Sequence, residues 1–174
     1  MDKELIRVLS ATMVRLQEQV RFVGLPNTDE ATYRSFFLAE VSRQLPQLTC
    51  ETEWNRVDLL LQHGSRNVLI EFKYYVERRS RQLDGSLGHW KGGPGPKNES
   101  EFWTCVEQLA ECTFEPIYRK YLILVYQRGS VRGGTRYSYS LSYDSLTPGS
   151  SIERVIRVPH VMDSLLACNL IRVR

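Results

Sequence analysis

The chain has 174 residues, 42% of them apolar and 25% charged, with a net charge of +3. That is the make-up of one soluble globular domain with a real core, and the charge is too small to define a partner by itself. It lacks any apolar run of about 18 residues, which argues against a membrane span. The opening MDKELIRVLS places acids where a secretion signal carries a basic and then an apolar stretch, so a cytoplasmic protein is expected.

In chain order, residues 2–22 repeat Leu5, Leu9, Met13, Leu16 and Val20 at helical spacing, with polar residues between them. This predicts an amphipathic helix, stopped by Gly24-Leu25-Pro26 and packed on the side of the domain, with dimerisation as its alternative use. Thr28 or Asp29 caps a second predicted helix that reaches Leu45 and ends at Pro46. Glu30, Tyr33, Phe37 and Glu40 follow one line of that helix. Glu40, in mid-helix, is expected to be solvated, whereas Glu30 is expected to point into the fold. Residues 48–54 alternate and predict a first strand. Val57–Leu61 and Asn67–Phe72, joined by a polar turn at Gly64, predict an antiparallel hairpin.

Residues 77–100 change character: they are rich in Gly, Pro and Arg and nearly free of aliphatic side chains. They predict a long loop, read as a substrate-facing lid or groove wall with a merely mobile loop as the alternative. Arg78, Arg79, Arg81, Lys91 and Lys97 make it basic, and His89 and Trp90 offer surfaces on which a base can stack. Asn98 or Ser100 then caps a third helix through Cys112, with Phe102, Cys105, Val106 and Leu109 inward. Tyr121–Gln127 is apolar throughout, as a central strand buried on both faces would be. A turn at Gly129–Gly134, a strand at Tyr137–Tyr143, another at Ile152–Val158 and a short helix at Val161–Asn169 complete the prediction. No repeat or linker divides the chain. A single domain over 1–174 is expected: an N-terminal helix (1–26), a core (28–128), and C-terminal strands with a short helix (129–174). Cys50, Cys105, Cys112 and Cys168 form no CxxC pair and read as reduced core thiols.

Three charged residues interrupt the apolar hairpin: Asp58, Glu71 and Lys73. A buried carboxylate is costly unless it is paired or holds a metal. By strand parity Val68, Ile70 and Phe72 face one side and Leu69, Glu71 and Lys73 the other, with Glu71 and Lys73 about 7 Å apart along the strand. This spacing suits a metal ligand beside a proton-handling group. Carboxylates with no His or Cys nearby select Mg²⁺-type ions over zinc. The three histidines, His63, His89 and His160, fall in or beside predicted loops without ligand spacing, and no nucleotide-binding or serine-hydrolase motif occurs.

The order helix, three strands, helix, strand, with Asp58 on the second strand and Glu71-Phe72-Lys73 on the third, resembles the PD-(D/E)XK nuclease superfamily over about Thr28 to Arg128. Val57 stands where the motif's Pro would be. The resemblance implies an α/β (α+β) domain with a restriction-endonuclease-like core: a central mixed sheet of four to six strands flanked by helices, in the order α-β-β-β-α-β. It implies a metal-dependent nuclease cutting nucleic acid, DNA more readily than RNA. Asp58, Glu71, the main-chain carbonyl of Phe72 and Glu30 would hold Mg²⁺ or Mn²⁺. Lys73, its pKa depressed beside the metal, would act on the attacking water. Gln108 resembles the Gln or Lys some members place on the third helix, and Lys97 is its substitute. Arg34 would contact phosphate or hold Glu30, and Arg78, Arg79, Arg81, Lys91 and Lys97 would bind the nucleic acid. A homodimer or partner subunit is plausible for double-strand cutting, and no membrane is expected. Two other readings remain open: an inactive nuclease-fold module that binds nucleic acid or a protein, and a domain in which Asp58 and Lys73 are merely a cross-strand ion pair.

Overall fold

Helix α1 (Asp2–Val23) buries Leu5, Leu9, Met13 and Leu16 along one face and stops at Gly24, whose φ of 82° few residues other than glycine adopt readily. Helix α2 (Glu30–Gln44) starts where Asp29 accepts hydrogen bonds from the Thr32 N–H at 2.9 Å and the Thr32 hydroxyl at 2.8 Å, and it packs beside α1. The strands are β1 (Thr49–Trp54), β2 (Val57–His63), β3 (Arg66–Tyr75), β4 (Ile117–Gln127), β5 (Ile152–Arg157) and β6 (Leu166–Val173), and α3 (Pro96–Glu111) lies between β3 and β4. The computed structural model describes residues 1–79, 81–89, 91–93, 95–113, 117–128, 143–159 and 166–174.

The six strands form one mixed sheet in the order β1-β2-β3-β4-β6-β5. β3 and β4 are parallel, which requires a crossover, and α3 supplies it; the other neighbours are antiparallel. The expected mixed sheet with flanking helices is present, in an α+β arrangement with three α-helices among the described residues. The parity of β3 is as the sequence implies. Val68, Ile70 and Phe72 pack under α1 and α2, where Phe37 meets Phe72 edge-on at 5.2 Å. Leu69 and Tyr75 pack with Phe102, Val106 and Leu109 of α3 on the opposite face. β4 is buried on both faces, Tyr121 to Val125 being wholly inaccessible. None of the described helices is long and apolar enough to cross a membrane.

Several expectations need correction. Residues 166–169 belong to β6 rather than to a helix, because that segment pairs with both β4 and β5. The first part of that expected helix, the turn at 129–134, residues 137–142 of the expected strand, His160 and Trp90 lie outside the described residues. Tyr143 opens a 3-10 turn (Tyr143–Ser145). α3 begins at Pro96, earlier than expected; Gly95 caps it, while the Asn98 side chain donates back to the Gly93 carbonyl. Glu40 is not solvated: it is buried and held by Arg43 at 2.6 Å, Gln44 at 2.7 Å and Arg15 at 3.5 Å. All four cysteines are free, as expected, but only Cys168 is fully buried and Cys50 is exposed.

The predicted loop after β3 is not structureless. Antiparallel bridges Arg78↔Lys91 and Arg81↔Leu87 fold it into a hairpin arm, closed at the tip by the Gln82 N–H donating to the Ser86 carbonyl at 2.7 Å. At the base, Gly92 (φ 71°) runs so close to β3's exit that a Cβ there would lie 2.2 Å from the Val76 carbonyl oxygen. A side chain at position 92 would push the returning strand away.

Candidate active site

The site forms where the sheet forks. Pairing of β2 with β3 runs from His63↔Arg66 to Leu59↔Ile70 and stops there, while β3 continues beside β4 as far as Tyr75↔Tyr126. Side chains replace the missing ladder. The Asp58 carboxylate takes the Phe72 N–H at 2.7 Å on Oδ2, and the Asp58 N–H donates to Glu71 Oε2 at 3.3 Å. Because N–H and C=O of one strand residue point the same way, the Phe72 carbonyl also faces this fork. Apolar residues pack against both faces of the sheet beside the fork, and charged ones line it.

Two cations neutralise the acids from opposite faces of the sheet. From α2, Arg34 donates to Asp58 Oδ1 at 3.0 Å and to Glu53 Oε1 at 2.6 Å, with its guanidinium 5.9 Å over the Phe72 ring. On the α3 side, Lys73 Nζ lies 2.8 Å from Glu71 Oε1 and 3.8 Å from Glu101 Oε1. The cross-strand reading is therefore wrong in its partners: Lys73 pairs with Glu71, and Asp58 pairs with Arg34. Arg34 holds Asp58, not Glu30, because one helical turn from Glu30 carries it over the end of β2.

The electrostatics are uneven. Burial pushes the Glu30 carboxyl up to about 7, and the negative charges of Asp58 and Glu71 add to that, while Lys73 and Arg34 oppose it. Glu71 is also raised, first by burial and further by the charge of Asp58, in spite of Lys73 beside it. Burial would lower Lys73, but the adjacent Glu71 carboxylate outweighs it and holds the ammonium above its ordinary value. The depression expected of Lys73 is one beside a bound metal; without one its nearest neighbour is the Glu71 anion, which acts in the opposite direction. At neutral pH Lys73 is a proton-bearing group, and Glu30 stands near half protonation.

The expected residues divide into those the fold gathers and those it does not. Asp58, Glu71 and Lys73 meet at the fork, and Glu30 acts on them electrostatically from the neighbouring cleft. Gln108, exposed on α3, lines a cleft of about 420 Å³ with Glu71, Cys105 and Leu109. Glu30, Arg34 and Arg78 line a second cleft of about 490 Å³ with Asp29 and Glu53. Arg78 is half-exposed and 4.0 Å from Asp29, the cap of α2. Arg79 is spent on the arm itself, donating to the carbonyls of Gly88 at 2.6 Å and Leu87 at 3.3 Å. Arg81, Lys91 and Lys97 are exposed and away from the fork's hydrogen bonds.

Sequence reasoning missed Glu53, Glu101, Cys105 and Tyr75. Tyr75 shares the parity of Glu71 and Lys73, so the strand pattern contained it. Glu101 and Cys105 are one helical turn apart and face β3; the Cys105 thiol is raised chiefly by burial, with Lys73 acting against that. The expectation of no cysteine near the carboxylates is corrected on this point.

Among the described residues, no three His, Cys, Asp or Glu side chains are arranged ready to hold a metal ion. Each oxygen of Asp58 and Glu71 already accepts a hydrogen bond. The donor chemistry nevertheless suits a hard cation: Asp58, Glu71, Glu30 and the Phe72 carbonyl are all oxygen donors. A cation would have to displace Lys73 and Arg34 from the acids. The chain matches no protein-family model, no curated protein and no solved structure, so these residues alone carry the functional argument.

Proposed function

We propose that the fork at Asp58 is the active centre of a metal-dependent nuclease of PD-(D/E)XK type, built on a restriction-endonuclease-like core and hydrolysing phosphodiester bonds of nucleic acid, DNA in preference to RNA. One observation carries the reading. Two carboxylates, Asp58 and Glu71, meet the Lys73 ammonium where β2 leaves β3, Glu30 acts on them electrostatically from the neighbouring cleft, and burial with mutual repulsion raises both Glu30 and Glu71. A core built only for stability has no use for such crowding.

Asp58, Glu71, Glu30 and the Phe72 carbonyl would hold Mg²⁺ or Mn²⁺, which when bound neutralises a non-bridging phosphate oxygen and makes water available as a nucleophile. The chain's own residues do the rest. Lys73, released from Glu71, orients the attacking water through its Nζ donors. Arg34 keeps Asp58 facing the fork, and its guanidinium is fixed by Glu53 and the Phe72 ring. Gln108, across the cleft from Glu71, offers an amide to water or phosphate.

A second reading has one observation in its favour: the oxygens of Asp58 and Glu71 are fully hydrogen-bonded within the protein, as they would be in an inactive module that binds nucleic acid or a protein. Incubation of the protein with single- and double-stranded DNA and RNA, in Mg²⁺, Mn²⁺ or EDTA, separates the two. The nuclease reading requires cleavage with metal and none with EDTA. Binding without cleavage under any metal would leave the inactive module.

A further inference from the structure

The arm returned by Gly92 is not accounted for by the chemistry at the fork. It leaves directly from the end of β3, two residues past Tyr75, and returns into the first turn of α3, so it stands at the rim of the site. Its tip exposes Leu83 (111% of the reference area) and Leu87 (51%), two of the few large apolar side chains left in water among the described residues. The segment from Arg78 to Lys97 carries five cations against one acid, Asp84, so it holds more positive charge than the whole chain nets. Arg78 ties the base of the arm to the cap of α2, next to Glu30. An apolar tip on a cationic two-stranded stem disfavours water at one end and attracts phosphates along the other.

Resting on the nuclease reading above, we propose that the arm is the duplex-engaging element of this protein: it enters a groove of B-form DNA beside the cleavage site, Arg81 and Lys91 lying along the phosphates and Leu83 wedging at a base step. A two-stranded ribbon fits the major groove of B-DNA, and a pyrimidine–purine step is flexible enough for an apolar side chain at the ribbon's tip to unstack it. The deep, narrow major groove of duplex RNA does not admit such a ribbon, which selects DNA. The base, where Gly92 passes against Val76 and Arg78 meets Asp29, sets where the wedge stands relative to the fork. Arg79 braces the hairpin from within, through the Gly88 and Leu87 carbonyls.

The test uses the full chain in EDTA with a short DNA duplex carrying 2-aminopurine at a central pyrimidine–purine step, the same sequence as duplex RNA, and the single strand. The DNA duplex should bind most tightly, with a rise in 2-aminopurine fluorescence. Leu83→Ser should abolish that rise while the protein still binds. Arg81→Ala and Lys91→Ala should each weaken binding and lower its salt slope by about 1. Equal fluorescence from wild type and Leu83→Ser overturns the proposal. So does equal or tighter binding of RNA or of the single strand. A self-association by gel filtration that Leu83→Ser removes would assign the tip to a second copy and overturn it too. If any of these occurs while Mg²⁺ or Mn²⁺ still supports cleavage, the arm proposal alone has failed; absence of both binding and cleavage defeats the nuclease reading as well.

Discussion

Two clusters in this molecule surround acids with arginines or lysine, and they behave oppositely. At one end of the sheet, Asp2 accepts a hydrogen bond from Tyr121 and lies 2.9 Å from Arg119, 3.1 Å from Arg172 and 3.6 Å from Arg154. Burial raises its pKa, but Tyr121 and the three arginines outweigh that and leave the carboxyl below its ordinary value. Glu40 is held low in the same way, with Arg43, Gln44 and Arg15 overcoming burial. At the fork, two cations serve Asp58, Glu71, Glu30 and the nearby Glu53 and Glu101, and both Glu30 and Glu71 are raised. A cluster with cations in excess fastens helices to the sheet. In the one at the fork, burial outweighs the two cations and leaves Glu30 and Glu71 raised.

The sharpest way to break this comparison is to remove one member from each cluster. Lys73→Ala should lower metal-dependent cleavage by about 10²-fold or more, with the chain still folded by circular dichroism. Asp2→Asn should do the reverse. It should leave cleavage intact while costing about 2 kcal/mol in urea denaturation, because three arginines lose a common anion in a partly buried position. Loss of cleavage in Asp2→Asn, or of the fold in Lys73→Ala, would erase the distinction.

The hairpin of β2 and β3 was legible in the sequence because apolar alternation and the Gly64 turn state it locally. The inward aim of Glu30 was legible for the same reason: it lies on one helical line with Tyr33 and Phe37. Glu40 lies on that line too, yet was expected in water. Its two nearest partners, Arg43 and Gln44, lie one turn on in the same helix and could have been read from the sequence; only Arg15, from a different helix, leaves no local mark. The same holds for the arm. Its composition reads as loop because its order comes from two isolated bridges and from arginine-to-carbonyl bonds rather than from a strand pattern. Pairing at the fork was also out of reach, since Asp58 and Lys73 are alternatives for each other in sequence, and only the divergence of β2 from β3 assigns Arg34 to one and Glu71 to the other.

Smaller effects sharpen the contrast. Glu30→Gln removes a carboxyl whose ionisation the fold resists, so in metal-free protein at pH 8 it should not destabilise, and should raise the urea midpoint slightly, while cleavage falls. Stability against pH should carry both signs. Glu30 has a folded pKa of about 7 against an ordinary 4.5, so its cost is absent below about pH 4.5, grows through this window, and is complete above 7. Asp2, lowered from 3.8, contributes stability that is present above that value and lost as pH falls through its depressed folded pKa. In EDTA, Glu30→Gln should flatten the decline between pH 4.5 and 7, and Asp2→Asn should flatten the loss below pH 4. A Glu30→Gln profile parallel to that of the wild type across pH 4.5–7 would show that this carboxyl is not under strain.

The most direct measurement of the central claim is thermal unfolding of metal-stripped protein titrated with Mn²⁺, in wild type, Glu71→Gln and Asp2→Asn. If the fork is a cation site, Mn²⁺ at about 100 times its dissociation constant should stabilise wild type and Asp2→Asn by about 2.7 kcal/mol, and Glu71→Gln far less. Equal Mn²⁺ response in all three, or none in the wild type, would contradict it.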